Sequence, residues 1–135
     1  MKPYQVIGWT LLQTSAVTAI TSTRIYHGLR PDGTVTPSIN YYQVGGATRQ
    51  NGMEAVTYSI NCRTTNAGTA RDLARVVVDL FHGSSSTGIY GYQNSSFEIS
   101  RASMEMDAGL IPETEDGIFN APVDIMIVYP SSTVS

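Results

Sequence analysis

The chain has 135 residues, of which 41% are hydrophobic and 14% are charged, and its formal net charge is −3. It shows no basic stripe, which excludes holding nucleic-acid phosphates as its main role. Cys62 is the only cysteine, which excludes an internal disulfide and a paired-cysteine metal or redox motif. The charged fraction is below the usual ~25%, which favours a chain packed against neighbours, because amides and hydroxyls dehydrate more easily than ions. An ordinary weakly charged domain is the alternative.

The N-terminal residues resemble a signal peptide only faintly, because Gln5, Thr10 and Gln13 dilute the apolar run. No stretch approaches the ~20 apolar residues of a membrane span. We therefore expect a protein made in the cytoplasm and not in a membrane. The length favours a single α+β domain over residues 1–130, and the polar residues 131–135 are expected to form a flexible tail.

The first half of the chain is predicted to hold one helix and then short extended segments. Residues 4–21 carry apolar side chains at helical spacing, which predicts an amphipathic helix. Residues 24–27 are a predicted short extended piece, and a turn-rich loop covers 30–36. Pro37 then opens a predicted strand over 38–44, because proline is tolerated at the first position of a strand.

A hairpin and a long strand are predicted next. Asn51-Gly52 favours a tight turn, because both residue types accept positive φ. Residues 53–63 then alternate between apolar and polar side chains, which predicts an antiparallel strand with one buried face. The predicted buried set is Val56, Tyr58, Ile60 and Cys62.

The second half is predicted to hold one helix and three strands. Residues 67–82 have helical apolar spacing, with Asn66 as the N-cap and Gly83 after the end. Strands are predicted over 89–92, 97–106 and 118–129, and an acidic loop over 107–116. The architecture is thus an antiparallel or mixed sheet with two helices on one face, in the order α-β-β-β-α-β-β-β.

The chain shows no local catalytic motif. It lacks the glycine-rich patterns that bind nucleotide phosphates. Cys62, His27 and His82 could support chemistry only if the fold brought them together, and the alternation of the strand places Cys62 on the buried face. His82 is explained as a cation at a helix C-terminus. We predict no catalytic, cofactor-binding or metal-binding residue, with a small enzyme as the remote alternative.

Five acids lie close together near the C-terminus. They are Glu105, Asp107, Glu113, Glu115 and Asp116. A solvated loop is one interpretation, and a divalent-cation loop is another, although the acids lack the spacing of an EF-hand. A third is a loop facing the lumen of a ring, where negative charge would repel DNA phosphates.

Several segments together resemble a known family. They are an amphipathic N-terminal helix leading into Arg24-Ile25-Tyr26, a Pro/Gly loop, a strand over 37–42, a polar hairpin with an alternating strand over 54–63, a helix over 70–81, and a closing strand over 119–125. This order resembles the tail completion proteins (tail terminator, or head–tail joining) of long-tailed bacteriophages. The resemblance spans nearly the whole chain and consists of patterns of hydrophobicity and turns.

The resemblance implies a non-enzymatic structural protein of the virion, without a cofactor. Family members form rings, commonly of six copies, that cap the tail tube and join it to the head connector. The implied partners are further copies of the chain, the tail tube protein and head connector or neck proteins, with DNA passing through the lumen without specific binding and no membrane. A head-closure ring or a tail-tube subunit is the alternative role.

A closed ring needs two different patches on each subunit. We expect the Asn51-Gly52 hairpin, the loop over 30–36 and several tyrosines to supply them, because aromatic side chains combine contact area with a polar tip. Ordinary sheet packing is the alternative for each tyrosine. The candidate interface residues are Arg30, Asp32, Tyr41, Tyr42, Asn51, Gly52, Tyr90 and Tyr92.

Overall fold

The computed structural model describes residues 3–28, 36–46, 48–50, 52–81, 93–94, 97–98, 101–107, 111–113 and 117–130. The described helices are α1 (Pro3–Gln13), α2 (Ser15–Thr21) and α3 (Ala67–Phe81). The described strands are β1 (Ile25–His27), β2 (Ser38–Gln43), β3 (Thr48–Gln50), β4 (Met53–Thr64), β5 (Gln93–Asn94), β6 (Phe97–Glu98), β7 (Arg101–Asp107), β8 (Ile111–Glu113) and β9 (Ile118–Pro130).

The N-terminal helix is interrupted, so the prediction of one helix over 4–21 is wrong. Thr14 separates α1 from α2 with an extended backbone, at φ −92° and ψ 109°. Its Oγ1 donates a hydrogen bond to the carbonyl of Thr10 at 2.7 Å. Threonine side chains bend or interrupt helices in this way, because the hydroxyl competes for backbone carbonyls. The break lets α2 pack against α3 while α1 packs against β1.

The predicted hairpin and long strand are confirmed. Gln50 pairs with Met53, so β3 and β4 form a hairpin joined by a tight turn. Gly52 in this turn has φ +78°, the conformation that glycine adopts without steric cost. β4 then continues without interruption to Thr64.

Two long strands form the centre of the sheet. β4 and β9 pair antiparallel along their whole length, from Met53 opposite Pro130 to Thr64 opposite Phe119. β2 and β3 follow one another along the outer edge of β4, and β8 and β7 do the same along β9. β1 pairs with β2 in parallel. Within the described residues the sheet is therefore mixed and has seven strands, and the predicted α+β fold is confirmed.

The strands after α3 differ from the prediction in detail. The strand predicted over 97–106 is divided into β6, which pairs with β5 in a separate small sheet, and β7, which joins the main sheet. The acidic segment predicted as a loop over 107–116 contains β8, which pairs with the start of β9. The strand predicted over 89–92 and the residue His82 lie outside the described residues.

One hydrophobic core joins the helices to one face of the sheet. α3 buries Leu73, Val77 and Phe81 against β4 and β9. Its predicted N-cap is confirmed, because the Asn66 side chain accepts a hydrogen bond from the Thr69 N–H at 3.1 Å. α1 and α2 contribute to the same core, so three described helices cover this face where two were predicted.

The other face of the sheet is polar and also buried at its centre. Ser59 and Asn61 are 6% and 4% exposed, so the prediction that β4 is buried on one face only is wrong. Asn120 Nδ2 donates to Asn61 Oδ1 at 3.0 Å, and Asn61 Nδ2 donates to Ser59 Oγ at 3.4 Å. Asn40 Nδ2 donates to the Gly28 carbonyl at 3.1 Å. Hydrogen bonding of this kind is what makes burial of amides tolerable.

Candidate subunit interfaces

Two adjacent tyrosines of β2 lie on opposite faces of the sheet. Tyr42 is 38% exposed, whereas Tyr41 is 5% exposed and belongs to the core. Alternation along a strand produces this division, because successive side chains point to opposite faces. Tyr42 therefore remains a candidate for an interface. Tyr41 is corrected to a core residue, since its side chain packs beneath the helices.

Tyr41 belongs to an aromatic cluster at the edge of the sheet. The ring of His27 stacks on Tyr4 with centroids 4.3 Å apart and lies 5.3 Å from the ring of Tyr41. Burial, and to a smaller extent Tyr4, raises the pKa of Tyr41. Burial, followed by the nearby Tyr41 and Tyr4, raises the pKa of Tyr58 to about 12. Both phenols therefore stay neutral at physiological pH, and the cluster packs α1 against β1 and β2.

The exposed tip of the β3–β4 hairpin is described in part. Gly52 is exposed there, which is consistent with a docking element at the end of the sheet. The remaining candidates lie outside the described residues, and their interface role stays a prediction. They are Arg30, Asp32, Asn51, Tyr90 and Tyr92.

The structure places three of the five acids along one edge of the sheet. Glu105 and Asp107 belong to β7, and Glu113 belongs to β8. Both strands pair with the outer edge of β9, with Asp107 opposite Val123. Glu105 lies where the β7–β9 register shifts in a β-bulge. Glu115 and Asp116 lie outside the described residues, and a position facing a lumen stays a prediction.

The geometry does not support a cysteine-based active site. Cys62 has no exposed surface, and its neighbours across the sheet are Ile39 and Ala121. A nucleophile must reach its substrate, so a fully buried thiol in this position cannot serve as one. Among the described residues, no group of three His, Cys, Asp or Glu side chains is arranged to hold a metal ion. None of the described helices is long and apolar enough to cross a membrane.

Sequence reasoning missed an exposed apolar surface on the N-terminal helices. Trp9 is 48% and Leu12 is 43% exposed on α1, one helical turn apart. Ala16 and Ala19 are exposed on α2. We call these four residues the uncharged helix surface, because residues 3–23 contain no charged side chain. The absence of charge was the available signal, since a solvent-facing helix normally carries Lys, Arg, Glu or Asp.

The outward face of α3 provides a comparison within the same layer of helices. It exposes Arg71, Asp72, Arg75 and Asp79. Such a face is typical of a helix that remains in water. The two parts of the helix layer are therefore suited to different surroundings.

A second, smaller exposed apolar patch lies at the end of β2. It consists of Tyr42 and Val44, which are 38% and 51% exposed. We call it the β2-end patch. The Val44 N–H donates to the Thr57 carbonyl at 2.9 Å, so the backbone of this patch is held against β4 as the strand ends.

Comparison with known proteins gave a match to solved structures only. No protein-family model matches the chain, and no curated protein matches it. The chain is similar to a chain in the structure of the virion of a native gene transfer agent (GTA) particle, with a TM-score of 0.67 and 14% sequence identity. The similarity covers 91% of each chain. The two chains therefore share a fold over nearly their whole length.

Proposed function

We propose that this chain is a structural virion protein, one subunit of a sixfold ring that caps the phage tail tube and joins it to the head connector. One observation carries the proposal: the fold is shared with a chain of a GTA virion over 91% of both chains. The same role is implied by the order of segments in the sequence. The role needs binding surfaces and no bond chemistry, which fits the full burial of Cys62.

The sheet offers suitable elements for docking above and below such a ring. β4 begins before the part that pairs with β2, and there it forms the β3–β4 hairpin, whose tip includes the exposed Gly52. β3 in this hairpin is an edge strand among those described, because it pairs with β4 alone. Edge strands can accept a strand from another molecule, because their outer N–H and C=O groups are free to pair. Docking to the tail tube or to the connector would use this hairpin.

The acidic edge of the sheet would face the lumen in this proposal. Glu105, Asp107 and Glu113 lie on strands that follow one another along β9. Negative charge along the passage would repel DNA phosphates and keep DNA from adhering to the ring. The net charge of −3 acts in the same direction.

Electron microscopy of particles assembled without this chain tests the role. A ring that stops tube growth predicts tails of excessive and variable length that are not joined to heads. Tails of normal length beside heads that lose their DNA would indicate a head-closure ring instead. Absence of tails would indicate a tail-tube subunit. Normal, infectious particles would contradict every structural role considered.

A further inference from the structure

We propose that copies of this chain join through two different patches, with the uncharged helix surface of one copy against the β2-end patch of the next. The inference rests on the proposed ring and names the surface by which the ring closes. The occupant of each patch is therefore a second copy of the same chain.

The uncharged helix surface has the composition of an interface centre. Trp9 and Leu12 lie at i and i+3 and project from the same side of α1, and both are more than two-fifths exposed. Interface centres are depleted of charge and enriched in tryptophan and other aromatic residues. Large side chains with no charged neighbours on the same helices gain free energy when another surface removes them from water.

The β2-end patch matches this surface in chemistry. Tyr42 and Val44 lie within residues 33–48, a second stretch without a charged side chain. Contact between the two patches would therefore not remove a charged side chain of either stretch from water. The desolvation of ions, which is the main cost of burying polar surface, is thus avoided. Together with Trp9 and Leu12, these two residues are the large hydrophobic side chains that the described part of the chain exposes.

The positions of the patches favour contact between copies. The helices cover the face of the sheet on which Tyr41 is buried, and Tyr42 belongs to the opposite face. The two patches of one copy therefore cannot meet each other. A contact between unlike patches repeats from copy to copy, and it forms a ring where the rotation between copies closes, whereas contact of like patches stops at a dimer and leaves the other patch exposed.

Crosslinking of variants that carry one added cysteine tests the pairing directly. The Leu12→Cys and Val44→Cys proteins are purified separately, mixed, and treated with a short bismaleimide; the native Cys62 is fully buried and serves as the unreactive background. We expect dimers that contain one molecule of each variant, and little product from either variant alone. A protein carrying both substitutions should give a ladder of multimers that ends at a closed ring. Asp79→Cys, on the charged face of α3, is the matched control and should give no product with either variant.

A substitution measures the contribution of the tryptophan. Trp9→Ser should weaken self-association about 30-fold, the effect typical of truncating a central aromatic residue. Thermal unfolding of the dilute subunit should fall only modestly, because Trp9 is 48% exposed in the single chain, and the variant should remain folded at the temperature of the association measurement. Arg75→Ser, on the exposed side of α3, should leave self-association unchanged. Association is measured by sedimentation over a wide range of protein concentration.

The outcomes separate this inference from the proposed function. Crosslinking of Leu12→Cys to itself would overturn the pairing and indicate contact of like patches. A ring detected by native mass spectrometry without the Leu12–Val44 product would place the ring contact elsewhere, and the proposed function would stand. A protein that is monomeric at every concentration and gives no crosslink would overturn the inference and assign the helix surface to a different protein. Particle imaging decides the proposed function independently in each case.

Discussion

The phenol of Tyr41 lies directly against the backbone of Gly8, so that a β-carbon at position 8 would overlap the Tyr41 hydroxyl. Gly8 is buried within α1, and Tyr41 is buried within β2. This contact sets how closely the first helix approaches the sheet. It also gives a reason for a glycine inside a helix, where the residue otherwise costs about 1 kcal/mol relative to alanine.

Gly8→Ala should therefore destabilise the protein even though alanine favours helices. Overpacking a core costs about 1–3 kcal/mol, and the gain in helix propensity offsets about 1 kcal/mol of that. We expect a net loss in the free energy of unfolding of up to about 2 kcal/mol, measured by urea denaturation. An unchanged midpoint of unfolding would show that α1 can move away from β2 at little cost.

The same substitution in a Tyr41→Phe background isolates the contact. Removing the hydroxyl removes the overlapping atom, and the next nearest atom, Tyr41 Cζ, lies 3.3 Å from the added β-carbon. The loss caused by Gly8→Ala should shrink towards zero in that background. A double-mutant cycle on the four proteins reports the coupling free energy, which is expected at about 1 kcal/mol. Equal losses in both backgrounds would assign the effect to another part of α1.

The local patterns predicted those elements whose side chains alternate or repeat without conflict. β4 follows from strict alternation, and α3 follows from its apolar stripe and the Asn66 cap. The break at Thr14 could not be predicted, because its hydroxyl competes with the helix by a hydrogen bond that depends on geometry. The parallel pairing of β1 with β2 also depends on contacts that no local pattern contains.

The sequence could narrow the candidate interfaces only as far as residue types, for a related reason. Composition indicated tyrosines at interfaces but could not decide which face of β2 the helices would cover. The structure answers this by burying Tyr41 and exposing Tyr42. The uncharged helix surface was not recognised from the sequence, because apolar residues such as Trp9 lie on more than one side of the predicted helix. Only the packed structure shows which of those sides is outside.

Gly52→Ala tests the turn that defines the β3–β4 hairpin. Gly52 has φ +78°, and a residue with a β-carbon in this region costs roughly 1–2 kcal/mol. We expect a loss of that size in the free energy of unfolding, measured by urea denaturation. Gly46→Ala is the matched control, because Gly46 has open space for a β-carbon and a φ outside this region. Equal stabilities of the two variants would contradict the described turn.

Asn61→Ala tests the polar network on the sheet face opposite the helices. The substitution removes the acceptor of Asn120 Nδ2 and the donor to Ser59 Oγ. Leaving such buried groups unpaired costs about 1–3 kcal/mol, and we expect this loss in urea denaturation. If the two amides act as a pair, Asn61→Ala combined with Asn120→Ala should cost less than the sum of the single losses. Strict additivity would show that the hydrogen bond between them contributes nothing.

Raising the pH should destabilise the fold through Tyr58. Burial, followed by Tyr41 and Tyr4, raises the pKa of Tyr58 from 10.0 to about 12, so the folded state holds this proton more tightly than the unfolded chain does. The resulting stability is fully present below pH 10 and is lost as the pH rises from about 10 to about 12. Tyr58→Phe should make this decline in stability shallower. A smaller part should remain, because burial also raises the pKa of Tyr41.

Urea denaturation at each pH, with tyrosinate absorbance followed in parallel, measures the effect of Tyr58 on stability. Tyr42→Phe is the control at an exposed position outside the cluster. If stability declined as steeply with pH in the Tyr58→Phe protein as in the unsubstituted protein, another group would be its cause.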